Sequence, residues 1–510
     1  MSMVEQSFQT YEQQARRQRT YGNWRKPTTP GLLGMGSLGT TILFVGLVSL
    51  IVAWFVGGYR AAIPTVLGFG VVLGLLAFKD RHQSTTAERA GKWLTWALAR
   101  RRGLHLYRSG PVSHVPWGTH QLPGLLAASE LSEWTDSWGR PFALLRVPST
   151  GHYSVIFATE PDGASLVDPE QVDQWVAQWG AWLASLSSEP GLVGASVTVE
   201  TAPDSGARLK QEVELQVHPD APAVALAMLA EVVARYPEGS ATIRAWVSLT
   251  FSAATRPGAR RRSAAEVGRD LASRLTTLSQ GLMATGAGGA RPVAAQELCE
   301  FVRVAYDPAV ALTLDEARQQ GQVPELRWSD VGPVAAESGW STYRHDSAVS
   351  TTWGMTAPPR GEVFSSVLHG LLNPHADIDR KRVTMLFRPL DPARAARVVD
   401  LDKRAADFRA TVSDRPTARA MNEQRAAAAT AAEEALGAGL LDFAVMVTAT
   451  VASEDRLPDA VSAIDMLAAS SRLQLRPMYG SQDVAFTGTL PLGLMLPSHS
   501  ALPSSIRGAL

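Results

Sequence analysis

The chain has 510 residues, of which 48 are basic and 48 acidic, so it carries no formal net charge at neutral pH. That balance argues against a protein that coats nucleic acid directly, because neutralising phosphates demands an excess of Lys and Arg. The lone cysteine, Cys299, excludes an intramolecular disulfide and any cysteine-cluster metal site, and it fits a reducing compartment for the bulk of the chain.

Residues 1–30 read as a basic cytosolic tail containing Arg16, Arg17, Arg19, Arg25 and Lys26. Between Lys26 and Lys79 the only charged side chain is Arg60, in a stretch longer than the roughly 20 apolar residues that cross a hydrocarbon core. Residues 31–80 are therefore predicted to form a transmembrane helical hairpin. Its crossings span 38–56 and 61–78, with the turn at Gly57-Gly58-Tyr59-Arg60, because lipid forces backbone polar groups to pair within their own segment. Basic residues also follow the hairpin, at Lys79, Arg81, Arg89, Lys92 and Arg100-Arg101-Arg102. Such flanks stay in the cytosol, which places the chain in a bacterial inner membrane as a multi-pass protein with both termini inside. Trp24 at one end, and Trp54, Phe55 and Tyr59 at the turn, suit the two water interfaces. Two apolar runs that begin this late do not fit a cleaved signal sequence.

Residues 81–125 are predicted to be a juxtamembrane stalk and linker. A capping box, Thr85-x-x-Glu88, opens a helix that runs through Trp93, Trp96 and Leu98 to the arginine run and stops at Gly103. Such a helix either leaves the membrane as a stalk or lies in the headgroup layer, and Arg100, Arg101 and Arg102 are candidate membrane or anion contacts.

A first cytosolic α+β region is expected over 126–325. Strand patterns cover 142–147, 152–159 and 195–201. Between the last two, Asp168 and Pro169 open an amphipathic helix whose stripe is Val172, Trp175, Trp179, Trp182 and Leu186. The tryptophans read as a face buried on a sheet in preference to a binding platform. A helix over 222–236 and a strand over 242–252 follow. Ser263-x-x-Glu266 then caps a helix running to Met283. Arg256, Arg260, Arg261 and Arg262 crowd the loop before that cap, a place for phosphate or anionic lipid if the loop is more than a solvated surface. A short helix over 290–306 and a linker over 321–328 close the region.

The second cytosolic region, 326–510, repeats this logic. A strand-like stretch at 340–353 precedes a helix over 363–372 and a strand over 383–388. Two helices fill 391–437, interrupted near Asp414-Arg415-Pro416. A strand over 440–451, a helix over 457–471 and a strand over 473–478 complete it. The expected fold class is α+β: a transmembrane hairpin followed by cytosolic modules of antiparallel sheet with helices packed on one face.

Chemistry is hard to find. No phosphate-cradling Gly-x-x-x-x-Gly-Lys-Ser/Thr loop occurs, and Gly286, Gly288 and Gly289 lack the strand and helix that a dinucleotide site requires. His369, His375, Asp377 and Asp379 match no closed ligand spacing. There is no Gly-x-Ser-x-Gly elbow, and Cys299 has no neighbouring histidine in sequence. No catalytic residue, metal or cofactor is expected.

The segments Thr384-Met385-Leu386-Phe387-Arg388-Pro389, Gln482-Asp483-Val484-Ala485-Phe486 and Leu490-Pro491-Leu492-Gly493, separated by a helical excursion and the strand at 440–451, form a pattern. It resembles the non-catalytic N-terminal domain of the type IV secretion (conjugation) ATPase family. The apolar hairpin looks like the small inner-membrane subunit that partners that ATPase. Together they resemble actinobacterial conjugation proteins that join the two. The resemblance implies a non-enzymatic scaffold of a conjugative machine that moves DNA or protein. Its partners would be a separate secretion ATPase, other inner-membrane subunits and membrane lipids, within a homo- or hetero-oligomer. The motor half of that family would follow the matched region, and the chain ends at Leu510 without it. Two other readings stay open: a component of the type VII secretion membrane complex similar to its E subunit, and a membrane enzyme acting on a phosphorylated lipid through the Arg260 to Arg262 loop.

Overall fold

The computed structural model describes residues 19–22, 24, 36–77, 86–110, 113, 119–161, 163, 166–204, 206–218, 220–235, 241–256, 258–322, 324–359, 361–412 and 417–499. The basic flanks at Arg16, Arg17, Arg25, Lys26, Lys79 and Arg81, the Thr85 cap and the break at 414–416 lie outside those residues. The architecture is α+β, built on a 13-stranded sheet whose strand pairs are antiparallel.

A short strand β1 (Thr20–Tyr21) precedes the apolar helix α1 (Gly36–Ala77), and α2 (Thr86–Arg101) follows. Within α1 one residue is not helical, Gly58 at φ 59° and ψ −151°, where two helical runs meet in a kink. Only glycine takes that backbone combination without strain. A Cβ placed on Gly46 would sit 2.6 Å from the ring of Phe69, so these positions in the two runs are packed together. Among the described residues α1 is the one helix long and apolar enough to cross a membrane. Its window Leu43–Arg60 has a mean hydropathy of 1.7 with 0% buried in the protein. At the end of α2 the amide of Gly103, at φ 71°, donates to the carbonyl of Arg100, the stop the sequence suggests.

The rest of the first half comprises β2 (Leu106–Arg108), β3 (Glu130–Thr135), β4 (Pro141–Val147), β5 (His152–Glu160), α3 (Pro169–Ser185), β6 (Leu192–Pro203), α4 (Ala207–Gln216), α5 (Ala223–Arg235), β7 (Ala241–Ser252), α6 (Ala264–Met283), β8 (Gly289–Pro292), α7 (Ala295–Tyr306) and α8 (Val310–Gln319). The second half holds β9 (Ala335–Ser338), β10 (Tyr343–His345), β11 (Ala348–Ala357), β12 (Val363–Phe364), α9 (His369–Leu372), β13 (Arg380–Pro389), α10 (Pro392–Thr411), α11 (Ala418–Ala435), β14 (Leu441–Val451), α12 (Leu457–Ser470), β15 (Gln474–Pro477) and α13 (Gln482–Gly488).

These elements fall into two matching units. In the first, β5-α3-β6, the α4-α5 pair and β7-α6-β8 give the spatial order β8-β5-β7-β6. In the second, β11-α9-β13, the α10-α11 pair and β14-α12-β15 give β15-β11-β14-β13. Each is a split β-α-β-β-α-β unit with a helical pair inserted between its middle strands. The units join along β6 and β13, from Lys381 opposite Thr201 to Phe387 opposite Ala195, so one sheet runs through both.

Side chains alternate between the faces of a strand, and both faces are covered. Phe142, Leu144, Val155 and Val247 pack with Trp182 of α3 and Leu271, Leu275 and Leu282 of α6, while Val383, Val445 and Val447 pack with Ala460 and Ile464 of α12. On the opposite face Ala143, Leu145, Ile156 and Trp246 meet Leu298, Cys299 and Val302 of α7 and Phe486 of α13. The expectation of helices on one face only is therefore corrected. The alternating apolar residues on both faces of β4 required a second cover, and α7 and α13 supply it.

Other predicted elements shift where a distant partner decides. The helix expected over 290–306 is a strand followed by a helix, because Val293 pairs with Ala143 and Ile156 in the sheet before α7 begins. Only His369–Leu372 of the helix expected over 363–372 is α-helical, since Val363 and Phe364 pair with β1. The stretch 340–353 turns back on itself at Asp346 (φ 37°), giving β10 and β11.

Candidate functional site

Where α2 meets the second unit, a cleft of about 360 Å³ is lined by Arg89, Ala90, Trp93 and Trp340. A smaller cleft beside it, about 80 Å³, is lined by Arg89, Lys92, Trp340, Arg476, Met478, Tyr479 and Ser481. Three cations thus converge from two separate elements, α2 and β15. Aromatic packing fixes this junction. Trp96 of α2 meets Trp340 edge-on with centroids 5.5 Å apart, and Trp340 stacks on Tyr479 at 5.5 Å. The amide of Gly480 donates to the Trp340 carbonyl at 2.7 Å, and α2 also touches α1. The cleft therefore lies beside the chain's most apolar helix.

The arginine runs picked out in the sequence occupy separate elements. Arg100 and Arg101 form the last turn of α2, and Arg102 follows it. Arg100 lies over the Trp96 ring at 5.3 Å, a cation–π contact at the edge of the same junction. In the other run, Arg260 pairs with Glu266 at 2.5 Å and Arg262 with Asp270 at 2.8 Å, and both Arg260 and Arg261 are exposed. Glu266 is also the N3 residue of the capping box with Ser263, so this loop's charges serve the start of α6. The residues sequence reasoning missed are Trp340, Arg476 and Tyr479. An isolated arginine and two scattered aromatics carry no pattern until the sheet brings them to α2.

Groups with chemical potential elsewhere are buried and engaged. Burial pushes the Cys299 thiol up to about 12, which leaves it an inert core residue. His345 is fully buried, its Nδ1 bonded to the Tyr306 carbonyl at 2.5 Å and its Nε2 to the Ser350 hydroxyl at 2.8 Å. Burial drags its pKa down to about 4, so it is neutral. Arg382, 1% exposed, lies 4.6 Å from the centre of the Phe486 ring and reaches Glu200 at 3.5 Å, with Nε and Nη2 unpartnered. In the histidine loop, His375 stands 3.6 Å from Asp377, whereas Asp379 is held by Arg456 and the amide of Ala452. No grouping of three or more His, Cys, Asp or Glu among the described residues could hold a metal. The stripe on α3 packs inward, with Trp182 against Trp179 at 5.0 Å and beside Gly281 of α6, and with Trp179 edge-on to Phe387.

The C-terminal pattern proves to be a strap. The Gln482 side chain accepts from the Thr352 amide at 2.8 Å and donates to the Thr352 carbonyl at 3.2 Å, continuing the β11 ladder. Beyond α13 the backbone crosses the centre of the sheet over a line of buried hydroxyls. Thr384 donates to the Thr489 carbonyl at 2.9 Å, Ser248 to that of Pro491 at 2.9 Å and Thr250 to that of Gly493 at 2.5 Å. The strap thus binds strands of both units.

Residues 28–88 match a family model described as a domain of unknown function (DUF8461). The match covers α1 and reaches the start of α2, not the sheet. No curated protein matches the chain.

Proposed function

We propose that the chain is a non-enzymatic inner-membrane scaffold of a conjugative, type IV-like secretion machine, which holds a separate ATPase at the membrane. The observation that carries this reading is α1, on which Phe44, Val48, Val52, Phe55 and Val56 stand more than half exposed. Leaving that surface in water would cost roughly 25 cal/mol per Å² of apolar area, and lipid removes the cost. The kink at Gly58 and the contact of Gly46 with Phe69 support two crossings, since a straight helix would hold those positions about 35 Å apart at 1.5 Å per residue. The resemblance of the strap and β13 to the N-terminal domain of the secretion ATPase supports the choice of machine. Exposed apolar side chains on α5, among them Val224, Met228 and Val232, offer a partner something to cover.

Topology is tested by cysteine labelling of sealed cells. Cys299 is buried and stays silent, so a cysteine placed at Gly57 should react with an impermeant maleimide from outside, and one placed at Ser137 only after permeabilisation. Labelling of the Ser137 position in intact cells refutes the reading. Affinity purification in mild detergent should then recover a P-loop ATPase with the full-length protein.

A further inference from the structure

At the seam between the two units, β13 brings Arg380, Lys381 and Arg382 into the sheet. Glu200 of β6 stands opposite Arg382 in the ladder and accepts from Arg380 at 2.7 Å and from Arg382 Nη1 at 3.5 Å. Lys381 turns to the other face, where its ammonium donates to the Asn373 carbonyl. On the Arg382 face the sum is therefore two guanidinium charges against one carboxylate, with Arg382 1% and Glu200 2% exposed. No other carboxylate among the described residues pairs with Arg382. Two of its donors, Nε and Nη2, are enclosed without a hydrogen-bond partner among those residues. These N–H groups share one edge of the planar guanidinium and point the same way, the fork by which arginine grips an anion. The Phe486 ring lies over the guanidinium, with centre and Cζ 4.6 Å apart, and Tyr306, Tyr343 and His345 surround that ring at 5.2, 5.2 and 4.7 Å. None of them supplies a negative charge, since burial holds both tyrosines protonated and the neutral His345 has both nitrogens engaged. A buried cation with two bare donors is costly, and a counter-ion in the fork removes that cost.

We infer that a chloride ion binds the Nε and Nη2 edge of Arg382 and neutralises the cluster of Arg380, Glu200 and Arg382. The excess on this face is one positive charge, which a monovalent anion cancels and a divalent phosphate or sulfate would reverse. Full enclosure of the fork selects a compact, spherical ion over a carboxylate metabolite. Because Glu200 and Arg382 face each other across the β6–β13 pairing, the ion ties the two units at their seam and adds its binding free energy to the stability of the fold. The inference stands apart from the membrane reading of α1.

The test uses the full-length protein in mild detergent, with thermal melting followed by tryptophan fluorescence while sodium chloride or sodium bromide replaces sodium gluconate at constant ionic strength. Gluconate is too large for an enclosed fork and serves as the blank. The melting temperature should rise by about 1 to 2 °C for each tenfold increase in chloride or bromide above the dissociation constant. Arg382→Met should abolish that dependence. Equal melting in halide and gluconate overturns the inference, and so does an undiminished halide response in Arg382→Met, which assigns the effect to anions elsewhere on the protein. Should the variant not fold, crystals of the wild-type protein grown in bromide decide the matter. An anomalous bromine peak within hydrogen-bond reach of Arg382 Nε and Nη2 supports the ion, and a water molecule alone in that place overturns it.

Discussion

Arg382 and Glu200 show how a sheet centre tolerates charge. Arg382 is sandwiched between strand neighbours and the Phe486 ring with Glu200 as its acidic partner, which Arg380 shares at 2.7 Å. Buried pairs rarely stabilise relative to apolar replacements, yet losing one partner strands the other. Glu200→Ala should therefore cost about 3 to 5 kcal/mol in urea unfolding, whereas Arg382→Met, which leaves Glu200 paired with Arg380 at 2.7 Å, should cost less. His345 makes a prediction about pH. Its folded pKa of about 4 lies below the ordinary value of 6.5, and burial does the same to His152, also to about 4. As pH falls from 6.5 towards 4 the unfolded chain takes up these protons and the folded one does not, so stability falls across that window and is regained on raising the pH. Melting temperatures measured over this range should decline with acid, and His345→Gln should flatten the slope.

At the level of elements, local signals succeeded wherever an element carries its own cap and its own face. The capping box of α6 forms as written, Ser263 accepting from the Glu266 amide and Glu266 accepting in return from the Ser263 amide, and its stripe Val267, Leu271, Leu275 and Leu282 is buried. Replacing Ser263 with Ala should cost about 1 kcal/mol, read as a shift in the urea midpoint without a change in slope. By contrast, the Asp168 side chain makes no capping bond on α3, where Pro169 at the first position already favours the turn. The α4-α5 and α10-α11 pairs are the elements least explained by packing. They interrupt equivalent points of the two units and leave large apolar groups such as Met228 and Phe408 exposed at 64% and 69%.

The body outside α1 behaves as one sheet with a belt across it. Strands β6 and β13 fuse the units, and the strap is hydrogen-bonded to β7, β11 and β13 from a single run of chain. Two units tied this way should unfold together, with far-ultraviolet circular dichroism and tryptophan fluorescence giving coincident transitions. Gly493 is the point of closest approach, with φ 66° and a notional Cβ 2.4 Å from the Thr250 hydroxyl. Gly493→Val should lower the single melting temperature seen by both probes without splitting it, because the strain falls on the belt common to both units. Two separated transitions would show that the strap and the β6–β13 pairing do not couple them.

What the sequence determined alone was local: an apolar stretch interrupted only by Arg60, the amphipathic stripe of α3, the cap of α6, the strands rich in β-branched residues, and the break of a long Ala/Arg/Glu-rich region into two helices. Each of these depends on neighbours within a few residues, where periodicity and hydrogen-bonding chemistry can be read directly. The pairing of β6 with β13, the cover on the second face, the strap over its row of hydroxyls and the meeting of Arg89 and Lys92 with Arg476 were decided by tertiary structure. Those contacts join residues hundreds of positions apart, and their free energy comes from desolvating surfaces against one another, for which a single strand or helix carries no local mark.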